Sequence, residues 1–296
     1  MKNVKAVYIT GFISVTIIWG MSFLFVSDVV RQGIPVFLLL AIRFILGIIP
    51  LYIFTRLRHM PKITKDEWLK GILAGLAVFA AFIFQTYGAL YTSSAKNGLL
   101  TGLYVIFVPL ICFRSIKSTK PFFDAVVCIL GMAFLFNVFS GMATVNIGDF
   151  MTILCAVAFA AQFILVEKHV PTLSPVNYTI VQLLTVSVLA AFVSLFMEAK
   201  DYGNIVWDIA VIAKIAWLGV LSTGYAYIMQ ILVQTKISAA TVSIIACLES
   251  VFAMSFSLIF GYEEFSANLM IGFVLIMIAM VSSVISPTWK KKLNES

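Results

Sequence analysis

Ten stretches of about 20 apolar residues follow one another along this chain, and the breaks between them carry nearly all of its charge. At a rise of about 1.5 Å per residue, each stretch matches the hydrocarbon thickness that a helix must cross. The stretches are 7–26, 36–54, 71–91, 98–113, 122–139, 150–166, 176–197, 211–233, 239–260 and 268–285. Lipid offers a bare backbone no hydrogen-bond partner, and the alternating pattern of a closed barrel is absent, so the runs predict helices. With 62% hydrophobic and 11% charged residues, the chain has too little polar surface for a soluble fold. The expected fold class is all-α integral membrane, with ten transmembrane helices.

The net charge of +7 would fit nucleic acid, but its placement fits a bilayer. With the N-terminus in the cytoplasm, Lys2, Lys5, Arg56, Arg58, Lys62, Lys65, Lys70, Arg114, Lys117, Lys120, Lys168, Lys236 and Lys290 to Lys292 all face inward. Only Arg31, Lys96, Lys200 and Lys214 face outward. The positive-inside rule therefore predicts both termini in the cytoplasm, with Trp289 as an interfacial anchor beside the lysine tail. No nucleic-acid partner is expected. Lys2 and Lys5 before an apolar run resemble a signal peptide, yet no small-residue cleavage site follows, so the expectation is a retained first helix. Cys112, Cys128, Cys155 and Cys247 stand singly in apolar runs. They predict packing residues rather than a disulfide or a metal site, and no cofactor is expected.

Five helices duplicated in tandem re-enter the membrane from the opposite face, so ten spans with both ends inside imply an inverted repeat. The boundaries read as 1–140 and 141–296. One offset aligns Gly75 with Gly219 and Ser94-Ala95 with Ser238-Ala239 without a gap, and Trp19-Gly20 falls opposite Phe159-Ala160. Inverted repeats are typical of secondary transporters, whose substrate site lies near the midplane between the halves. No phosphate-binding glycine loop ending in Lys-Ser or Lys-Thr is present, which leaves ion gradients or a partner as the energy source.

A fixed charge at the bilayer centre costs about 2.5 to 3.5 kcal/mol on insertion scales, and two residues bear one. Glu249 lies too deep in the ninth stretch to reach an interface. It is read as a cavity acid touching substrate or a proton, against a structural acid joining helices. Arg43 in the second stretch is read as a gating or charge-pairing residue, against a stem that reaches the outer interface. Lys96 stands at the outer mouth, where it can draw anions or simply be solvated, with Asn97 placed to cap the next helix. Gln85, Gln162, Gln182, Gln230, Asn137, Tyr104, Tyr225 and Tyr227 can line an amphiphilic cavity for zwitterionic or aromatic solutes, or bond between helices. Gly71-x-x-x-Gly75 and Gly98-x-x-x-Gly102 permit close helix approach, and Pro50 and Pro109 allow bends. His59 and His169 show no metal or transferase spacing, so no enzyme is expected. A sensor or scaffold without transport remains the alternative, followed by a lipid-modifying enzyme.

Trp19-Gly20-Met21-Ser22-Phe23 and Arg43-Phe44 resemble motifs of the EamA type of the drug/metabolite transporter superfamily. Ser94-Ala95 through Val108-Pro109, Gly148-Asp149, Ser238-Ala239, Leu248-Glu249, Val251-Phe252-Ala253 and Gly261-Tyr262-Glu263-Glu264 follow in family order. The family commonly has Glu-Pro where this chain has Glu249-Ser250, which leaves open the kink expected there. The resemblance implies two inverted five-helix repeats around a cavity lined by helices one, three, four, six, eight and nine. It makes Trp19, Ser22, Gln85, Tyr104, Gln162, Tyr225 and Glu249 the candidate lining. It also implies a secondary transporter, often an exporter, of amino acids, other metabolites or drugs. The expected partners are a small-molecule substrate, the lipid bilayer and coupling protons, with a homodimer left open. The expected location is a bacterial cytoplasmic membrane.

Overall fold

Short polar side chains set where the helices begin. In the computed structural model, which describes residues 2–112, 120–135 and 145–284, the side chain of Thr64 accepts from the Glu67 N–H at the start of α3 (Lys65–Tyr91), and Glu67 answers in a capping box. Asn146 and Asp149 form the same box at α7 (Ile147–His169). Ser174 caps α8 (Pro175–Met197), Asp208 caps α9 (Ile209–Gly219) and Ser238 caps α11 (Ala239–Ala246). The cap of α4 (Ser94–Thr101) is Ser93, whose extended backbone aims its hydroxyl at the Lys96 N–H. Asn97, expected as that cap, lies one turn inside the helix, where its amide donates to the Gln85 carbonyl at 2.9 Å.

The other helices are α1 (Lys2–Arg31), α2 (Val36–Leu57), α5 (Tyr104–Cys112), α6 (Lys120–Leu135), α10 (Ala226–Gln234), α12 (Leu248–Ile259) and α13 (Ala267–Val284). No strand occurs among the described residues. Seven helical runs are long and apolar enough to cross a membrane: Thr10–Arg31, Val36–Leu57, Lys65–Tyr91, Ile147–Thr172, Pro175–Met197, Ile209–Gln234 and Thr241–Ile259. The remaining three predicted stretches form shorter helices. The stretch 98–113 divides between α4 and α5, and α6 and α13 have 16 and 18 residues. Asn137, Arg114, Lys117, Trp289 and the tail lysines lie outside the described residues.

Polarity is distributed inside out relative to a soluble protein. Ile45, Ile49 and Ile53 of α2 and Phe192, Leu195 and Phe196 of α8 are exposed, while Arg43, Gln85, Asp149, Gln162, Gln182 and Glu249 are buried. That arrangement is stable where the surrounding solvent is hydrocarbon.

Two helices break without proline. After Thr101 the α4 hydrogen bonds tighten to three-residue closures, Leu103 N–H to Leu100 O at 3.2 Å and Ile106 N–H to Leu103 O at 2.9 Å, so α5 sets off in a new direction. At Cys247 the amide is shared between Ser243 O and Ile244 O, both at 3.1 Å, and α12 begins at Leu248. The same offset relates the caps Ser93 and Ser238, the breaks Gly102 and Cys247, and the residues just beyond, Tyr104 and Glu249. The structural register is thus one residue away from the predicted alignment of Ser94 with Ser238. The kink left open by Glu249-Ser250 is present, two residues upstream of Glu249.

A third irregularity joins α9 to α10, where Val220–Tyr225 forms a π-helical turn. Thr223 Oγ1 donates to Leu218 O at 2.9 Å. The turn packs against α2 through glycine. A Cβ on Gly224 would lie 2.7 Å from Gly47 O, a backbone atom that cannot yield.

Candidate functional site

Seven helical units converge on a central cavity of about 390 Å³. Trp19, Ser22 and Phe23 come from α1, Arg43 from α2, Phe82 and Gln85 from α3, and Tyr104 from α5. Phe159, Gln162 and Phe163 come from α7, Tyr227 and Gln230 from α10, and Glu249 from α12. The wall is aromatic, with a few polar groups fixed by neighbours, as small-molecule sites generally are.

Glu249 is 4% exposed, and Tyr104 Oη donates to its Oε1 at 2.9 Å. The Tyr104 ring is held in turn by Phe159 and Phe163, with centroids at 6.5 and 5.1 Å. Because both helix breaks fall two residues earlier, this pair meets where α5 and α12 start. Cys247 Sγ also reaches toward Gly102 O at 3.6 Å, so the breaks themselves touch.

The glutamines form a chain along one wall. Gln230 Nε2 donates to Gln162 Oε1 and to Gln234 Oε1, each at 3.0 Å, and Gln234 Nε2 donates to Phe163 O at 2.9 Å. Gln162 Nε2 continues toward Gln182 Oε1 at 3.4 Å. Gln85 Nε2 approaches Thr101 Oγ1 at 3.4 Å. Trp19 Nε1 donates to the Ser222 carbonyl at 3.0 Å, and its ring lies edge-on to Tyr227 at 6.1 Å.

Arg43 does not reach an interface. It is 2% exposed and donates from Nε to Thr223 Oγ1 at 2.8 Å and from Nη2 to Ser222 Oγ at 3.0 Å. Its guanidinium carbon lies 4.6 Å from the Phe82 ring centre.

Trp19, Ser22, Gln85, Tyr104, Gln162 and Glu249 are therefore brought together around the cavity, and Arg43 joins them from a helix outside the predicted set. Two residues lie elsewhere. Tyr225 is the last residue of the π-turn, and its phenol pairs with Ser14 Oγ at 2.8 Å, outside the lining. Tyr227 takes its place in the wall, because two residues along a helix turn the side chain by about 200°. Lys96 sits in the first turn of α4, away from the lining. Phe82, Phe159 and Phe163 were not anticipated. Their signal is spacing, since they flank Gln85 and Gln162 at helical neighbour positions.

Polar contacts also tie the helix ends. Asp28 Oδ2 meets Lys214 Nζ at 2.6 Å and accepts from Tyr262 Oη at 2.8 Å. Arg31 Nη2 donates to Thr92 O at 3.1 Å, while the Thr92 hydroxyl donates to Asp149 Oδ1.

An all-helical bundle with a lipid-compatible exterior and a polar, enclosed centre defines an integral membrane protein of the transporter class. The chain belongs to the EamA-like transporter family, which matches residues 6–140 and again residues 146–285. It is similar to an uncharacterized transporter of Archaeoglobus fulgidus, 25% identical over 284 residues that cover 95% of this chain and 87% of that protein. The uncharacterized transporter YoaV of Bacillus subtilis is 23% identical over 274 residues, covering 90% of this chain and 92% of its own. A solved structure, described only as the crystal structure of a protein, shares the fold with a TM-score of 0.66 at 18% identity, over 92% of this chain and 98% of that one. Relatives that are transporters place the chain in membrane transport.

Proposed function

We propose that the chain is a secondary transporter that exports small metabolites, amino acids or other amphiphilic compounds, by alternating access between two inverted repeats, residues 1–140 and 141–296. In this reading α4 with α5, α9 with α10, and α11 with α12 each count as one crossing, which gives ten. Both ends of the chain lie in the cytoplasm of a bacterium, and Glu249 carries the coupling proton.

The observation that carries the reading is the symmetry of the packing around the cavity. Exchanging the first five crossings for the last five turns the α3–α7 contact into α10–α1, and α3–α8 into the α2 contact with α9 and the π-turn. The contact of α7 with α4 and α5 becomes that of α1 with α11 and α12, while α2–α8, α6–α13 and α4–α12 map onto themselves. Equivalent walls on opposite faces are what alternating access requires, because each state of one repeat is available to the other. The two family matches fall on the same halves. Tyr104 and Glu249 occupy equivalent positions, one giving a neutral phenol and the other the single buried acid of the lining.

Reconstitution into liposomes tests this. The wild-type chain should move a metabolite down an imposed pH gradient, and Glu249→Gln should stop gradient-driven flux while sparing solute counterflow. Identical pH dependence in the two proteins would remove Glu249 from coupling. Absence of flux for every solute would leave a sensor or scaffold.

A further inference from the structure

Arg43 is a buried cation with no anion. Among the described residues, no carboxylate lies within 4.0 Å of its guanidinium. Its fixed partners, Ser222 and Thr223, are neutral hydroxyls. Glu249, in the same cavity wall, is bonded to Tyr104 instead. Of the five N–H groups of a guanidinium, two are used, and Nη1 has no acceptor among the described residues. An isolated charge taken out of water is costly, and proteins normally neutralise it with a partner.

The surroundings nevertheless hold this side chain in one pose. The π-turn presents two consecutive hydroxyls to one edge of the guanidinium, and Thr223 keeps its own proton on Leu218 O, leaving a lone pair for Nε. Gly47 and Gly224 let α2 approach the turn at backbone distance, and the Phe82 face covers one side of the plane. A rigid fork with a free edge toward a cavity is the geometry that receives an oxyanion.

We infer that Arg43 is an anion subsite of the central cavity, and that the transported solute carries one carboxylate on an apolar or aromatic body. This rests on the reading of the cavity as a transport site. A single carboxylate fits better than a phosphate. Arg43 is the sole Lys or Arg in the lining, and Glu249 stands in the same wall, so a dianion would remain half compensated. The body of the solute meets Trp19, Phe82, Phe159 and Tyr227.

Binding to the full chain in lipid nanodiscs decides the matter, with phenylacetate, its neutral isostere phenylacetamide, and phenyl phosphate as probes. Tryptophan fluorescence and the melting midpoint are the readouts. Phenylacetate should bind about tenfold or more tighter than the amide, the worth of one hydrogen bond to a charged group, and tighter than phenyl phosphate. Arg43→Gln should abolish the preference, while Arg43→Lys should keep part of it, as a point charge without the fork. Equal binding of acid and amide, a preference that survives in Arg43→Gln, or no binding of phenylacetate would each overturn the subsite. If Arg43→Gln does not fold, the wild-type comparison and Arg43→Lys still decide. A chain that moves solute without carboxylate preference keeps the transport reading and loses this one. Preference without any flux does the reverse.

Discussion

Glu198 ends α8, yet its carboxylate serves α2. The residue at the start of α2 is Pro35, which has no side-chain group to offer the first free N–H groups of the helix. Glu198 supplies the acceptors from another helix: Oε1 takes the Phe37 N–H and Oε2 the Leu38 N–H, both at 2.9 Å, with Ser194 Oγ donating to Oε2 at 2.7 Å. Glu198 is 8% exposed, so water is a poor substitute. Removing an N-cap costs about 1 kcal/mol and up to 2, and hydrogen bonds to a buried charge contribute about 1.5 to 3. The terms overlap, which puts Glu198→Ala at about 2 to 4 kcal/mol. Glu198→Gln retains one carbonyl acceptor but turns an NH2 toward the other donors, so about 1 to 2 kcal/mol is expected. Thermal unfolding of the three proteins in the same detergent should rank wild type, Gln, Ala, with Ala several degrees below wild type. A Glu198→Ala protein that melts with wild type would refute the cap.

The glycine contact beneath Arg43 gives a second expectation. Gly224→Ala places a Cβ 2.7 Å from Gly47 O, and overpacking of this kind costs about 1 to 3 kcal/mol. Gly203→Ala, with nothing within 4 Å, should be neutral in the same melting assay, and equal loss in both would discredit the contact. At the far end of α12, partial burial, with help from the Asp28 bond and charge, pushes the Tyr262 phenol up to about 12. Its folded value lies above its unfolded one, so its stabilising contribution is full below about pH 10 and is lost as pH rises through about 12. The alkaline absorbance difference between wild type and Tyr262→Phe should show one phenol ionising at about 12. Ionisation near the ordinary tyrosine value would remove the Asp28 bond from solution.

Hydrophobic length made the long helices readable, because a run that satisfies lipid leaves little choice of structure. Capping chemistry was only partly readable. Around α4 both Ser93 and Asn97 qualify, and the choice depends on where the chain turns after Tyr91, which the sequence pattern does not encode. The breaks at Gly102 and Cys247 were invisible, since both lie inside apolar runs and neither involves proline. Each depends on the neighbouring helix, as the contact of Cys247 with Gly102 O illustrates. Glu249 and Arg43 stood out as charges in lipid, but their partners did not. Tyr104 is one aromatic among many, and the hydroxyls of Ser222 and Thr223 point at Arg43 only because a π-turn redirects them.

That turn also explains why Tyr225 was preferred to Tyr227. A helix that keeps 3.6 residues per turn has one continuous face, so phase set at Trp217 or Gly219 extends to Gln230. Inserting the wider turn at Val220–Tyr225 resets the phase, and residues after it line a wall that regular periodicity assigns to others. The same distortion frees the backbone carbonyl of Ser222 for Trp19 and the hydroxyls of Ser222 and Thr223 for Arg43. One local irregularity thus fixes an aromatic and a cation from two other helices. The centre of the bundle is organised by departures from helical regularity at α4–α5, α9–α10 and α11–α12, each of which turns polar groups toward the cavity that a straight helix would keep for itself.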